Sequence, residues 1–184
     1  MLTRIDADAM LFLALVEVCE RSFFTLVEAC DPGQFAALLK NVASEAALDA
    51  KDQGRGFEWL KATVAFDGTL SKGAVDVFLP ERLGGWLVES MLGLDPDAPD
   101  TAATMTEAQT FDGVGEFANM ICGAWLTHMC GSLPFELKAP VVCRLPHGFN
   151  PLTDISNKDE TQQLASINEL PMRIVVRQDK EDKG

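Results

Sequence analysis

The sequence is short of positive charge. Lys and Arg together number 15 against 28 Asp and Glu, giving a formal net charge of −13. Nucleic acid and anionic membrane surfaces both reward clustered cations, so the balance argues against either as a partner. A protein or a small molecule remains open. No CxxC occurs, and the cysteines are odd in number, five in all: Cys19, Cys30, Cys122, Cys130 and Cys143. Neither a disulfide framework nor a zinc site is signalled, and free thiols in a reducing cytoplasm are the expectation. The start of the chain lacks the basic region of a signal peptide, since Asp6 and Asp8 stand there and Glu17 interrupts the apolar run 10–16. No apolar run is long enough to span a bilayer, so no membrane segment is expected. There is no low-complexity segment and no Gly-rich phosphate loop.

Histidine is also scarce. His128 falls near the buried side of a helix and His147 in a loop, and neither has a metal-type partner at helical spacing. A structural role is the simpler reading for both, and no local pattern supports Ser-His-Asp or Cys-His catalysis. No residue set on this chain is expected to bind a metal.

What the chain does have is apolar residue enough for a real core, 47% of 184 positions. That length predicts one domain. Residues 1–50 read as N-terminal helices, 62–178 as the core unit, and 179–184 as a charged, disordered tail. Asp8 can cap a helix running to about residue 29, with Leu11, Leu15, Val18 and Leu26 on one broad face. Asp31-Pro32-Gly33 ends it, and a second helix follows over 34–48. Cys19 and Cys30 could share a face of the first helix. Residues 49–56 read as a polar loop.

A β region comes next. Runs 62–70 and 73–79, joined through Ser71-Lys72, predict a hairpin. Its second strand alternates, with Val75, Val77 and Leu79 on one face and Asp76 and Phe78 on the other. Pro80 sets the first turn of a helix over 81–92. Residues 94–103 form a linker. Thr106 caps a long helix that runs to about Met129, and Gly131 stops it. Residues 134–143 read as extended and 145–159 as a loop. Short strands follow at 163–167 and 172–177, with a turn at 169–171. Two-residue alternation in the strands and helical periodicity between them predict an α+β fold: an antiparallel β-sheet covered by long helices.

The long helix is where function concentrates. At about 100° per residue, Asp112, Glu116, Asn119 and Gly123 fall within a stripe about 60° wide. Val114, Phe117, Ala118, Ile121 and Trp125 fall opposite. A helix face kept only for solubility usually carries Lys as well as Glu, yet no Lys or Arg occurs between Phe111 and Cys130. A Glu followed three later by Asn arises by chance about once in a few hundred positions, so the spacing alone also fits a solvated polar stripe. The company of Asp112 and Gly123, the missing cations and the apolar underside favour a site.

The pattern Asp112-x-x-x-Glu116-x-x-Asn119-x-x-x-Gly123 resembles the signature of the CheC/CheX/FliY family of chemotaxis phosphatases. Phe66-Asp67-Gly68, Gly73-Ala74-Val75, Leu79-Pro80 and Met91-Leu92-Gly93 are similar to the segment that precedes that signature, and Ala139-Pro140-Val141-Val142 to the strand that follows. The likeness covers 63–142 well. It is closest to CheX, because one Glu-x-x-Asn copy is present and CheC members carry two. The segments 34–48 and 145–159 fall outside it. The resemblance implies a CheX/CheC-like fold and a substrate, the phosphoaspartate of a CheY-like response-regulator receiver domain. It implies that Asn119 positions the attacking water and Glu116 pairs with the receiver's lysine. Asp112 would orient the docked partner and Gly123 would let its backbone approach. It further implies no cofactor on this chain, with Mg²⁺ carried by the receiver, a homodimer joined through sheet edges such as 172–177, and a cytoplasmic location. A non-catalytic module of the same fold, sequestering a response regulator or serving in flagellar assembly, is the alternative.

Overall fold

Residues of alternating character build a two-faced strand, and the sheet grows outward from the central hairpin. The computed structural model describes residues 4–53, 58–69, 71–94, 105–153 and 160–179, with only the backbone described for 4–6 and 45–53. Strands β2 (Trp59–Gly68) and β3 (Lys72–Pro80) pair antiparallel with Val64 opposite Val75. Among the described residues the sheet has seven strands, in the order β1-β6-β7-β3-β2-β4, with β5 also on β2. The remaining strands are β1 (Val27–Ala29), β4 (Phe135–Leu137), β5 (Val141–Arg144), β6 (Thr161–Ile167) and β7 (Leu170–Gln178). Every pairing is antiparallel. The expected α+β architecture is present.

Strands β4 and β5 cover successive stretches of β2, Phe66–Gly68 and Leu60–Thr63, and so act as one interrupted edge strand. Ala139-Pro140 makes the interruption, since Pro140 has no N–H to give to a ladder. The even positions Leu60, Ala62, Val64 and Phe66 of β2 join Val75, Val77 and Leu79 in the core. Helices α1 (Arg4–Val18), α3 (Glu81–Met91) and α4 (Glu107–Cys130) cover that face. On the far face, α2 (Pro32–Gln53) and the loop after β5 enclose a smaller apolar cluster of Phe35, Trp59 and Leu164, with Phe78 stacked on Phe149. Asp76 is buried on the same face, where it accepts from Thr63 and pairs with Lys61 and Arg177.

Several boundaries differ from the sequence reading, each for a local or topological reason. The first helix starts at Arg4, and Asp8 lies inside it, accepting from the Gln162 N–H at 3.2 Å. It loosens into a π turn at Cys19–Phe23 and ends where Phe24 takes a left-handed φ of 52°. Residues 27–29, expected to be helical, instead form β1 on β6, and Leu26 is exposed. Cys19 and Cys30 therefore share no helix face. Asp31-Pro32-Gly33 does not close the first helix but opens the second. The Asp31 carboxylate accepts from the Gly33 and Gln34 N–H groups, and Gln34 Oε1 accepts in return from the Asp31 N–H. That helix runs on to Gln53, through residues assigned to the polar loop; the rest of that loop, 54–56, lies outside the described residues.

The last hairpin turns at Asn168-Glu169, both at positive φ (49° and 61°), one residue before the expected turn. Strand β7 is interior, bonded to β6 on one side and β3 on the other. Residues 172–177 therefore offer no free edge. Asp179 extends β3's pairing through its N–H to the Lys72 carbonyl at 2.8 Å, and the rest of the tail, 180–184, lies outside the described residues. So do most of the linker, 95–103, and the loop residues 154–159.

Candidate functional site

Helix α4 begins and ends where its local chemistry dictates. Thr106 accepts from the Gln109 N–H, and Gln109 Oε1 accepts from the Thr106 N–H at 2.9 Å, which satisfies two otherwise orphaned donors. At the other end Gly131 leaves the helix at φ 61° while its N–H still reaches the Thr127 carbonyl. Between these points Val114, Phe117, Ala118, Ile121, Cys122, Trp125 and Leu126 are buried. Phe117 meets Phe23 edge-on at 5.4 Å, and Trp125 meets Phe66 at 5.7 Å. The helix is thus held by α1 on one side and the sheet below.

The structure puts the four sequence-derived residues together on the opposite, solvent-facing stripe. Asp112 and Glu116 are exposed, while Asn119 and Gly123 are half-buried. Among the described residues none of the three polar side chains has a hydrogen-bond or ion-pair partner. An acid and an amide one turn apart therefore stand with their bonding capacity unspent. Chemically such a pair can offer a charged acceptor to a cation and, from the amide, both a donor and an acceptor to a water.

The flanks of the stripe are smooth. A Cβ built on Gly115 would lie 3.1 Å from Pro140 Cγ, and one on Gly113 only 2.3 Å from Val88 Cγ2, so α4 lies close against β5 and α3. A Cβ on Gly123 would meet nothing nearer than Leu137 Cδ1 at 3.7 Å. Two surface cavities, of about 340 and 420 Å³, lie elsewhere, one against α2 and one at the β2–β4 end, and none of the four residues lines either. An open stripe along a helix suits meeting another macromolecule better than enclosing a small one.

Histidine and cysteine stay outside this picture. His128 is exposed rather than near the buried side, and its Nε2 lies 3.0 Å from Glu17 Oε2 on α1. Burial pushes the Cys19 and Cys122 thiols up to about 12, which leaves both protonated and unreactive at neutral pH. Among the described residues no group of three or more His, Cys, Asp or Glu could hold a metal ion.

One cluster was missed in the sequence. Arg144, at the end of β5, pairs with Glu58, Glu81 and Glu107 and lies over the Phe111 ring. The Glu81 carboxylate above all holds its guanidinium more firmly protonated. Its acidic partners lie 37 to 86 positions upstream, so no local spacing could have revealed the group.

Residues 60–148 match the model of the family described as chemotaxis phosphatase CheX. No curated protein matches the sequence significantly. Among solved structures the chain is similar to the chemotaxis protein CheX from Vibrio vulnificus (15% identity, 97% of this chain and 100% of that one, TM-score 0.62). It is similar too to a CheX from Desulfovibrio desulfuricans (16% identity, 94% and 99%, TM-score 0.59). A third is the CheX of a CheX–CheY–BeF3–Mg²⁺ complex from Borrelia burgdorferi (13% identity, 96% and 99%, TM-score 0.58).

Proposed function

We propose that this protein, whose residues 60–148 match the CheX family model, dephosphorylates the phosphoaspartate of a CheY-like receiver domain. The observation that carries the reading is the unpartnered Glu116–Asn119 pair on the outer stripe of α4, above a fully buried apolar underside. The Borrelia relative was crystallised with CheY, BeF3 and Mg²⁺, which supports a receiver as partner.

Hydrolysis of an acyl phosphate needs a water in line with the bond from phosphorus to the carboxylate oxygen. The water oxygen bonds to phosphorus, that P–O bond breaks, the receiver's carboxylate is regenerated and inorganic phosphate leaves. Phosphoryl transfer depends on placement and charge stabilisation, so holding the water is the main lever left to the second protein. Asn119 takes that role, because an amide donates and accepts without adding charge that would repel the phosphoryl group. Glu116 pairs with the receiver's lysine and fixes the docking register. Asp112 orients the partner, and Gly123 lets its backbone come close. Mg²⁺ sits on the receiver in this scheme, and this chain contributes no cofactor. A cytoplasmic location goes with this reading.

Self-association goes with this reading, though not through residues 172–177, which are interior. The sheet's end strand β1 takes their place, with Phe24 and Leu26, 91% and 77% exposed, beside it.

The test is phosphate release from a phosphorylated receiver with this protein substoichiometric. Multiple turnovers are the expected result. Binding that merely protects the phosphoaspartate, one receiver per chain, would point instead to the sequestering module.

A further inference from the structure

Arg144 ends β5 opposite Leu60 of β2, which directs its side chain to the helix-covered face of the sheet. Its Nε lies 2.6 Å from Glu58 Oε2, its Nη2 2.6 Å from Glu81 Oε1, and its Nη1 2.9 Å from Glu107 Oε1. Its guanidinium carbon is 5.9 Å from the centre of the Phe111 ring. The carboxylates belong to three pieces of chain: the residue before β2, the first residue of α3 and the first residue of α4. A lone surface pair contributes little, because two long side chains must be ordered for one contact. Here one planar fork serves three carboxylates, so its ordering cost is shared and its direction fixed.

Helix α4 meets the β4–β5 edge at three stations, running antiparallel to it. Glu107 and Phe111 meet Arg144, Gly115 meets Pro140 and Val142, and Gly123 faces Leu137. At the last two stations α4 presents glycine, which allows close approach but supplies no knob to resist sliding. Only the Arg144 station is directional. We propose that Arg144 is a positioning residue for the Glu116–Asn119 site: it sets where along this edge α4 comes to rest, and so where Asn119 stands when a partner docks. The inference rests on the phosphatase reading for its catalytic consequence, but its structural part does not. A displacement of about 1 Å in a water-placing group is enough to lower a rate about a hundredfold.

The experiment compares Arg144→Ala, Arg144→Lys and Glu107→Gln with the wild type, well below their melting temperatures. Receiver dephosphorylation gives kcat and KM, and hydrogen exchange gives the protection of the α4 amides 113–119. Arg144→Ala is expected to lower kcat by about tenfold or more, with KM changed less. Lysine restores part of the loss, and Glu107→Gln, which releases only the α4 link, reproduces part of it. An unchanged kcat in Arg144→Ala overturns the proposal. If the wild type itself releases no phosphate, the phosphatase reading fails. Hydrogen exchange then decides the register claim alone: faster exchange at 113–119 in Arg144→Ala upholds it, and unchanged exchange overturns it.

Discussion

Glu116 is exposed, while Asn119, one turn on, is half-buried. On the proposed mechanism the two residues have different tasks and should fail differently. If Glu116 pairs with the receiver's lysine as proposed, Glu116→Ala removes that charged contact, and an affinity measurement on a phosphorylated receiver should show weaker binding together with slower turnover. Glu116→Lys should be worse, by like-charge repulsion. Neither change should lower the melting temperature noticeably, because neither touches the buried underside. Gly123 allows a cleaner separation of docking from folding. A methyl group there meets nothing nearer than 3.7 Å. Gly123→Ala should therefore stabilise the helix by up to about 1 kcal/mol in a denaturant titration and still weaken receiver binding. Unweakened binding would remove Gly123 from the interface.

At the level of elements, α4 was legible because everything that defines it is local. Its Thr106 cap, its apolar stripe and its Gly131 stop all lie within the helix or beside it. Replacing Thr106 with Ala should accordingly cost about 1 kcal/mol, read from chemical denaturation, without altering the site face. Gly113→Ala should cost more, about 1–3 kcal/mol, since its Cβ would intrude on Val88 and push α3 away from α4. The hairpin of β2 and β3 was readable for the same reason, through two-residue alternation. Elsewhere the deciding partner was distant. Residues 27–29 look helical by propensity yet pair with β6, and β6 lies more than a hundred residues on. The interior place of β7 depends on which strands bracket it, which its own sequence does not encode. Asp31 was read as a terminator because proline and glycine follow it, although Pro at the first helical position is also how helices begin. The outer stripe of α4 that carries Asp112, Glu116, Asn119 and Gly123 was therefore readable as a helix face, whereas Arg144, which pairs with the first residue of that helix, was invisible.

On the scale of the whole molecule, two buried thiols make stability depend on alkaline pH. Burial, with Glu20 adding to it at Cys19, pushes the thiols of Cys19 and Cys122 from 9.0 up to about 12. The unfolded chain releases those protons from about pH 9, while the folded chain keeps them to about 12. Between these values the unfolded state binds fewer protons, so stability falls as pH rises. Melting temperatures from about pH 8 to about pH 10.5 should decline, and less steeply in the Cys19→Ala, Cys122→Ala double variant. An identical slope would assign the decline to other groups. Light scattering tests self-association at the same scale. A mass about twice 20.0 kDa that falls to the monomer in Phe24→Asp supports pairing at the β1 edge, and a monomeric wild type at micromolar concentration contradicts it.

The most direct test of the central claim is the single-turnover rate of phosphoaspartate loss from a receiver saturated with Asn119→Ala, set beside its affinity. If Asn119 holds the attacking water, its loss costs transition-state stabilisation and leaves docking nearly intact. The rate should fall by about a hundredfold or more, equivalent to about 2–4 kcal/mol, with the dissociation constant changed by no more than a few-fold and the melting temperature unchanged. A wild-type rate from Asn119→Ala would contradict the mechanism, even with the fold and the family as described.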